Sequence, residues 1–507
     1  GAQNQAKQSQ AKKKPAKKQQ AKKQQAKTKQ AEKAADPTPL AAAPPPEVDL
    51  SYEDRMSDSD NLMWVIERNP MLRSTITSIV FLERAPDRDQ LYWRIDRASR
   101  RIPRLRQRVV ANPMSIAPPR WEFDANFNLA FHLRWSSLGG TGTERDVLDL
   151  AQPIAMQGFD RARPLWEFTL VEGMEDDGAA FIIKMHHAIT DGVGAIKMAL
   201  ETFSLDDKLL PREDLPPEPE ARILTQSERV VDAITHETRQ QIDTARKALT
   251  ALRNSEADPA DLARQLGATA ASTGRLLQPA LSPMSPLMKE RSLGLHFDML
   301  TIDLAELKAA ARAAGGKLND AFVAGICRGI SRYHDHHERP VGELRMGMPI
   351  NTRSSETENQ TGNQFTPARF PVPVDIEDPI EHMQALRSLV RQARDEPGQS
   401  MVEPMAGVLR RLPKVITTNM FSLMLTGVDF LSSNVPGVPV PLYLEGVPVT
   451  SQYAFGPLSG AAVNCTLLSY VDQVHIGINV DTAAVPDAEV FLDCLRQGFD
   501  EVVSVAG

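Results

Sequence analysis

Apolar and polar residues follow strand-like and helix-like periods over most of the chain. Short apolar runs at residues 74–82, 167–171 and 179–185 predict strands. Apolar residues at helical spacing predict a helix over residues 88–102. The alternation resumes with a strand-like run at 295–302 and continues to residue 505. The pattern therefore predicts a mixed α/β protein with two halves.

The two predicted halves are joined by a stretch of different character. Residues 211–220 are rich in proline and acidic side chains, and a long helical pattern follows them. We accordingly predict an N-terminal domain over 47–210, a largely helical linker over 211–290 and a C-terminal domain over 291–507. The linker helix carries one apolar-periodic stripe with spacings of three and four residues. Its members are Val231, Ile234, Thr238, Ile242, Ala245, Leu249 and Leu252.

Charge is distributed unevenly along the 507 residues, whose formal net charge is −7. Residues 1–33 hold eleven lysines and one acid, Glu32, so this segment carries 11 − 1 = +10 and the remainder carries −7 − 10 = −17. Residues 1–46 contain mostly Ala, Lys, Gln and Pro, and we predict that they are disordered because they bury too little apolar surface. Such a tail attracts anionic membranes, nucleic acid or acidic proteins, or serves only as a solvated tail.

Composition also excludes several classes of protein. No stretch reaches the roughly 18 uninterrupted apolar residues of a membrane-spanning helix, and the first residues do not resemble a secretory signal. The three cysteines, Cys327, Cys465 and Cys494, are far apart and lack the spacing of a disulfide framework or metal site. These features favour a cytoplasmic protein. No G-x-S-x-G motif is present, which argues against a serine hydrolase.

The segment 186–192, His-His-Ala-Ile-Thr-Asp-Gly, is the strongest candidate for chemistry. The predicted strand before it delivers His186 and His187 to its end, where a rigidly held imidazole can face a cleft. Neutral histidine can take a proton from a hydroxyl group. Asp191 is placed to cap the next helix or accept an arginine, and Gly192 allows close approach of a substrate or backbone.

Spacing alone leaves other interpretations of this segment open. Adjacent histidines are frequently incidental, and a His-His…Asp cluster can bind zinc. Zinc ligands on a helix, however, usually lie four residues apart with a third ligand elsewhere. Neighbouring residues at a strand end point in different directions, so we predict no metal site.

Further motifs accompany the histidines in a fixed order. Their sequence and spacing resemble the bacterial wax ester synthase/acyl-CoA:diacylglycerol acyltransferase family, within the CoA-dependent acyltransferase superfamily marked by HHxxxDG. The resemblance extends from about Leu50 to the C-terminus. The motifs are Pro164-Leu-Trp166-Glu, Asn319-Asp320, Pro349-Ile-Asn-Thr-Arg353, Gly362-Asn-Gln and Ser433-Asn434-Val-Pro-Gly437.

The resemblance implies two chloramphenicol-acetyltransferase-like domains with an active-site tunnel between them. It further implies transfer of a long-chain acyl group from acyl-CoA to diacylglycerol, giving triacylglycerol, or to a fatty alcohol, giving a wax ester. His187 would act as the general base. Acyl-CoA would be a co-substrate, with no permanently bound cofactor.

Other residues take their expected roles from the same resemblance. Asp191 would be a structural carboxylate paired with Arg353, and Asn319 would lie near the reaction centre. From the residues themselves, Asn319 and Asp320 also resemble a helix start, with Asn319 as its N-cap. Supporting roles are expected for Gly192, Pro164, Trp166, Asp320 and Asn434.

Several other polar residues suggest less specific roles. His334, His336 and His337 are predicted to be surface histidines, and His132 to lie on a strand surface. The arginine-rich stretch 101–108 is either a phosphate-binding or a solvated face. Residues 407–431 are too polar to span a membrane, and form either an interfacial segment or a core helix facing the tunnel.

Two alternative functions share some of these features. A peptide-synthetase-type condensation domain has the same HHxxxDG signature, but no carrier-protein sequence accompanies it here. A non-catalytic coat protein of lipid inclusions would use the basic tail, but would not need His186, His187 and Asp191. We expect peripheral contact with membranes or lipid inclusions and, since the folded part is acidic, no nucleic-acid partner.

Overall fold

Two six-stranded sheets form the framework of the protein in this computed structural model. The structure describes residues 52–112, 117–189, 198–221, 223–254, 264, 267, 282–351, 365–395, 407, 409 and 412–506. The predicted disordered tail, residues 1–46, lies outside these ranges. Residues 50–507 group into one compact unit.

The first sheet is built mainly from the N-terminal half. Its strands are ordered β11-β12-β1-β6-β5-β4, and the predicted strands at 74–82, 167–171 and 179–185 are confirmed as β1, β5 and β6. The predicted helix over 88–102 is confirmed as α2. The elements up to the linker are α1 Asp58–Ile66, β1 Thr75–Leu82, α2 Arg88–Arg101, β2 Gln107–Val110, β3 Arg120–Phe123, α3 Leu129–His132, β4 Leu133–Ser137, α4 Glu144–Met156, β5 Trp166–Glu172 and β6 Ala179–His186.

The second sheet belongs to the C-terminal half, with strand order β7-β14-β13-β10-β8-β9. Its core packs apolar side chains of the strands against helices α6, α7, α8 and α10. The predicted strand at 295–302 is confirmed as β7. The elements are β7 Leu295–Asp303, α6 Leu304–Ala313, α7 Leu318–His336, β8 Glu343–Asn351, β9 Phe365–Pro373, α8 Pro379–Arg394, α9 Lys414–Leu425, β10 Phe430–Val435, β11 Tyr443–Leu444, β12 Val447–Phe455, β13 Val463–Tyr470, β14 Gln473–Asp481 and α10 Ala488–Ser504.

Strand β12 ties the two halves together. Although it comes late in the chain, it pairs antiparallel with β1, with Thr77 opposite Phe455. Gly477 of β14 lies against its backbone, where a β-carbon would overlap the carbonyl of Ala454. Phe297 of β7 also stacks on Phe455 at 4.2 Å between ring centroids. The sheet of the N-terminal half is therefore completed by residues from near the C-terminal end.

The linker contains the predicted long helix, α5, over Gln226–Asn254. Its orientation is unexpected, because much of the apolar stripe faces solvent: Val231 is 64% exposed and Leu249 66%. The helix is held on its polar side instead. Arg120 Nη1 lies 2.8 Å from Asp232, and Arg229 Nη2 lies 3.0 Å from Glu122.

Of the two alternatives for residues 407–431, the exposed apolar side chains of α9 fit an interfacial segment better than a core helix. Thr417 and Thr418 face the protein and are buried, whereas Val415, Ile416 and Leu423 are more than half exposed. Asn69 Nδ2 donates to Ser422 Oγ at 3.1 Å and ties the helix to the end of α1. Among the helices in the described part of the chain, none has the length and apolar character needed to cross a membrane.

Candidate active site

The two histidines lie where strand β6 ends, as the sequence predicted. His186 is the last residue of β6, and His187 begins a 3₁₀ turn over His187–Ile189. The His187 amide donates to the Ser74 carbonyl at 2.8 Å. The strand end is thus fixed to the start of β1, and the two rings occupy different environments.

His186 is completely buried. Its Nδ1 accepts the backbone N–H of Ala188 at 3.0 Å, and its Nε2 lies 2.9 Å from Oε1 of Glu67. Because Nδ1 is an acceptor, the proton-bearing nitrogen of the His186 ring is Nε2, which faces the carboxylate. Contacts at both nitrogens therefore hold the His186 ring and the turn that follows it.

Glu67 is a candidate site residue that the sequence analysis missed. It follows α1 directly, and its Oε1 also accepts the Ser74 N–H at 2.6 Å, while Arg161 lies 3.7 Å from its Oε2. Burial alone would raise the pKa of Glu67, but His186, the Ser74 amide and Arg161 outweigh burial and hold that pKa below 4.5. No motif spacing indicates this residue, since it is more than a hundred positions from the histidines.

His187 is less enclosed than His186, being partly exposed to solvent. Helix α1 packs against the turn that carries it. A partly exposed imidazole on a turn held by the His187 and Ala188 amides can meet a substrate without first moving the strand. This arrangement suits a general base.

A buried ion pair supports the same strand. Lys184 is fully buried on β6, with Nζ 3.4 Å from Glu167 Oε2 and 4.6 Å from the Phe159 ring centroid. Burial lowers the pKa of Lys184, and Glu167 opposes that change. The Phe159 ring also lies 6.2 Å from the His186 ring. Residues 184 and 186 share one face of the strand, so this pair stiffens the layer beneath the histidines.

The structure does not cover all predicted site residues. Asp191, Gly192 and Arg353 lie outside the described residues. Asn319 is partly buried at the second position of α7, so its prediction as the N-cap is wrong. The cap is Lys317, whose N–H is accepted by the Asp320 side chain at 2.8 Å. Asp320 therefore fixes the helix start instead.

The remaining predicted support residues lie at or near the ends of strands. Pro164 is buried just before β5. Trp166 is fully buried, donates to the Leu105 carbonyl at 2.8 Å and stacks on His132 at 4.6 Å. Asn434 is exposed near the end of β10. The turn after it passes so close to β13 that a β-carbon at Gly437 would overlap the Ser469 carbonyl.

Two surface predictions for histidines are wrong. His132 is completely buried, and burial lowers its pKa to about 4. His334 is also completely buried, with Nε2 2.8 Å from Ser285 Oγ and Nδ1 2.8 Å from the Ile330 carbonyl. His336 and His337 are exposed as expected. Across the described residues, no group of three or more His, Cys, Asp or Glu side chains is arranged to hold a metal ion.

The central arginines of the stretch 101–108 are buried, so they form neither a solvated face nor an exposed phosphate-binding face. Arg104 is buried, with its guanidinium 4.4 Å from the Trp121 ring centroid. Arg106 is buried against Asp96 at 2.5 Å. Both guanidinium groups therefore serve the internal packing of the N-terminal half.

A cavity of about 600 Å³, partly open to solvent, lies between the two halves. Thr75 and Thr77 of β1 line one side, and Leu295 and Phe297 of β7 line the other. Thr75 is the strand partner of His186. The cavity thus reaches the layer that holds the buried histidine.

Comparison with protein families gives two matches along the chain. Residues 56–322 match the wax ester synthase/diacylglycerol acyltransferase catalytic domain, and residues 361–502 match the C-terminal domain of the same family. A putative diacylglycerol O-acyltransferase of Mycobacterium tuberculosis H37Rv is 37% identical over 458 residues, covering 90% of this chain and 92% of that protein. A probable diacylglycerol O-acyltransferase of the same strain is 26% identical over 434 residues, covering 83% and 88%.

Solved structures share the fold. The wax ester synthase/diacylglycerol acyltransferase of Marinobacter aquaeolei VT8 superposes with a TM-score of 0.57 at 20% identity, covering 89% of this chain and all of that one. The first condensation domain of the calcium-dependent antibiotic synthetase gives a TM-score of 0.58 at 11% identity, covering 90% and 97%. The predicted mixed α/β architecture with two sheet-rich halves is therefore confirmed.

Proposed function

The chain belongs to the wax ester synthase/diacylglycerol acyltransferase family, and from this premise we propose how it carries out acyl transfer. It is an acyl-CoA-dependent acyltransferase. The acceptor is the hydroxyl group of diacylglycerol, giving triacylglycerol, or of a long-chain alcohol, giving a wax ester. The observation that carries the mechanism is the placement of His187 on a turn fixed at the end of β6.

His187 takes the proton of the acceptor hydroxyl as its oxygen attacks the thioester carbonyl. A tetrahedral oxyanion forms, which needs a hydrogen-bond donor within about 3 Å. The carbon–sulfur bond then breaks, and the imidazolium returns the proton to the CoA sulfur. The steps use proton transfer and acyl-CoA as a co-substrate, without a permanently bound cofactor.

His186 acts in this mechanism as a positioning residue. Its burial and its contacts with Glu67 and Ala188 support this role, because they orient the turn on which His187 stands. Three further assignments rest on the family resemblance. Asp191 paired with Arg353 maintains the loop after the histidines, and Asn319 orients the acyl carbonyl or His187.

The acceptor is tested by competition between two hydroxyl compounds. The chain is given one labelled acyl-CoA together with equal amounts of diacylglycerol and a long-chain alcohol, and the labelled products are separated. We expect labelled triacylglycerol, wax ester or both, together with release of free CoA. A carrier-bound aminoacyl acceptor should give no product. Label found only in free fatty acid would contradict acyl transfer.

We also propose that the enzyme works in peripheral contact with a membrane or lipid inclusion. The +10 charge of residues 1–33, from eleven lysines and one acid, supports attraction to anionic lipid. Exposed Val415, Ile416 and Leu423 on α9 supply apolar surface.

Deleting residues 1–46 tests the contribution of the tail. We expect binding to vesicles containing anionic lipid to weaken, with the difference largest at low salt, because screening shortens the range of exposed charges. Turnover of dispersed substrate should stay at the level of the full chain. Sedimentation with vesicles over a salt series measures the effect. Equal binding by both chains would show that the tail is only a solvated extension.

A further inference from the structure

An apolar groove of about 560 Å³, partly open to solvent, lies beside the candidate active site. One wall is formed by α1 residues, including Leu62, Trp64 and Val65, and the opposite wall includes Leu412. Lys414, the first residue of α9, lines the same groove, and the described residues of the lining include no carboxylate.

Helix α1 connects this groove to the catalytic turn. Its Trp64 lines the groove and lies with its ring 5.7 Å from the His186 ring, edge to face. Glu67, which follows the helix, contacts His186. The same helix packs against the turn that begins with His187. A ligand along the groove wall would therefore extend toward the reacting histidine.

Positive charge is concentrated beside the groove. Arg161 lies over the Trp64 ring at 4.0 Å and pairs with Glu67 at 3.7 Å. Arg68 is exposed at the end of α1, and Lys414 is partly buried. Within the described residues, neither Arg68 nor Lys414 has an ion-pair partner. The acid beside them, Glu67, already holds His186, the Ser74 amide and Arg161.

These cations also act on one another. Burial lowers the pKa of Lys414, and the nearby Arg68 and Arg161 lower it further. Like charges gathered at a partly buried position are unfavourable unless an anion joins them. Phosphate groups are the anions that arginine and lysine bind most readily.

We propose that the groove lined by Trp64 and Leu412 is the acyl-CoA entrance, with Arg68 and Lys414 binding the CoA phosphates. Apolar walls next to a cationic rim match a molecule that joins an acyl chain to phosphates through a pantetheine arm. This assignment rests on the proposed acyl-CoA-dependent function and adds the position of the thioester substrate. The thioester then approaches His187 along α1.

The test compares two thioesters that carry the same acyl chain. Acyl-CoA has the phosphates and acyl-pantetheine lacks them, so only acyl-CoA should need the cationic rim. In the full chain, the double substitution Arg68→Ala and Lys414→Ala should lower the ratio of kcat/KM for acyl-CoA to kcat/KM for acyl-pantetheine by about tenfold, mainly through KM for acyl-CoA. Lys308→Ala, an exposed lysine on α6, is the matched control and should leave the ratio unchanged.

Three results would overturn the assignment. Both thioesters could keep the parent kcat/KM in the double variant, or both could lose activity equally, which indicates damage to the fold or to His187. Alternatively, the double variant could lose binding to anionic vesicles while KM for acyl-CoA is unchanged, which assigns the cations to lipid headgroups. If the parent chain transfers acyl groups from neither thioester, the proposed function itself fails, and that outcome is distinct from the other three.

Discussion

Replacing His187 with alanine is expected to lower kcat for acyl transfer by about 10³-fold. A positioned general base contributes roughly 10²–10⁴-fold, and His187 is also the group that returns the proton to CoA. Its side chain is partly exposed, and its hydrogen bond to the Ser74 carbonyl is donated by the backbone N–H, so the alanine variant should keep the fold. The value of kcat is measured from the rate of free CoA release at saturating concentrations of acyl-CoA and acceptor.

An exposed histidine elsewhere provides the matched control. His336 is the exposed last residue of α7, and the His336→Ala variant should transfer acyl groups at the parent rate. Thermal unfolding of both variants should coincide with that of the parent within a few degrees. If His187→Ala kept turnover within about fivefold of the parent, His187 would not be the general base and the mechanism would be wrong.

Local periodicity was enough to predict the strand that carries the histidines. The run 179–185 is apolar apart from Lys184 because both faces of β6 are covered, and it ends where the two histidines begin. The place of His186 and His187 at the strand end follows from that boundary. Their different environments do not, because burial depends on which elements cover each face.

Contacts between residues that are far apart in the sequence could not be predicted from local patterns. Glu67 reaches His186 only because α1 and β1 place it beside β6, and β12 joins β1 across more than three hundred residues. Nothing in the spacing of either segment states this pairing. The pairing follows from how the whole chain buries its apolar faces.

The stripe of α5 shows a second limit of periodicity. Spacing indicates that Val231 and Leu249 share a helix face, and it gives no information about what covers that face. Here the polar face of α5 packs against the N-terminal half, because Asp232 and Arg229 form ion pairs with residues there that are buried or half-buried. His132 is a related case: alternation with Phe131 suggested an exposed strand, but the ring fills the space between Trp166 and Phe127.

Removing Glu67 is expected to have the second largest effect. Glu67→Ala takes away the acceptor of the Ser74 amide and the partner of His186, leaving two buried polar groups unpaired. Each buried polar group left without its partner costs about 1–3 kcal/mol of unfolding free energy. The loosened turn should lower kcat by about 10²-fold, with a smaller change in KM, because transition-state geometry depends on the position of His187. Urea unfolding and steady-state turnover measure the two effects.

Glu67→Gln separates charge from shape and distinguishes positioning from simple stability. The amide oxygen can still accept the Ser74 N–H, so the fold should survive with a loss of about 1–2 kcal/mol of unfolding free energy.

The pKa of Glu67 is held below 4.5 in the folded protein, so its stabilising contribution is present above pH 4.5 and is lost as the pH falls through the folded value. Glu67→Gln should therefore remove this component of acid sensitivity, and should shift the pH profile of kcat by altering the environment of the histidine pair. The exposed Glu220→Gln is the control and should change neither. A Gln variant with parental pH profiles for both unfolding and kcat would reduce Glu67 to a packing role.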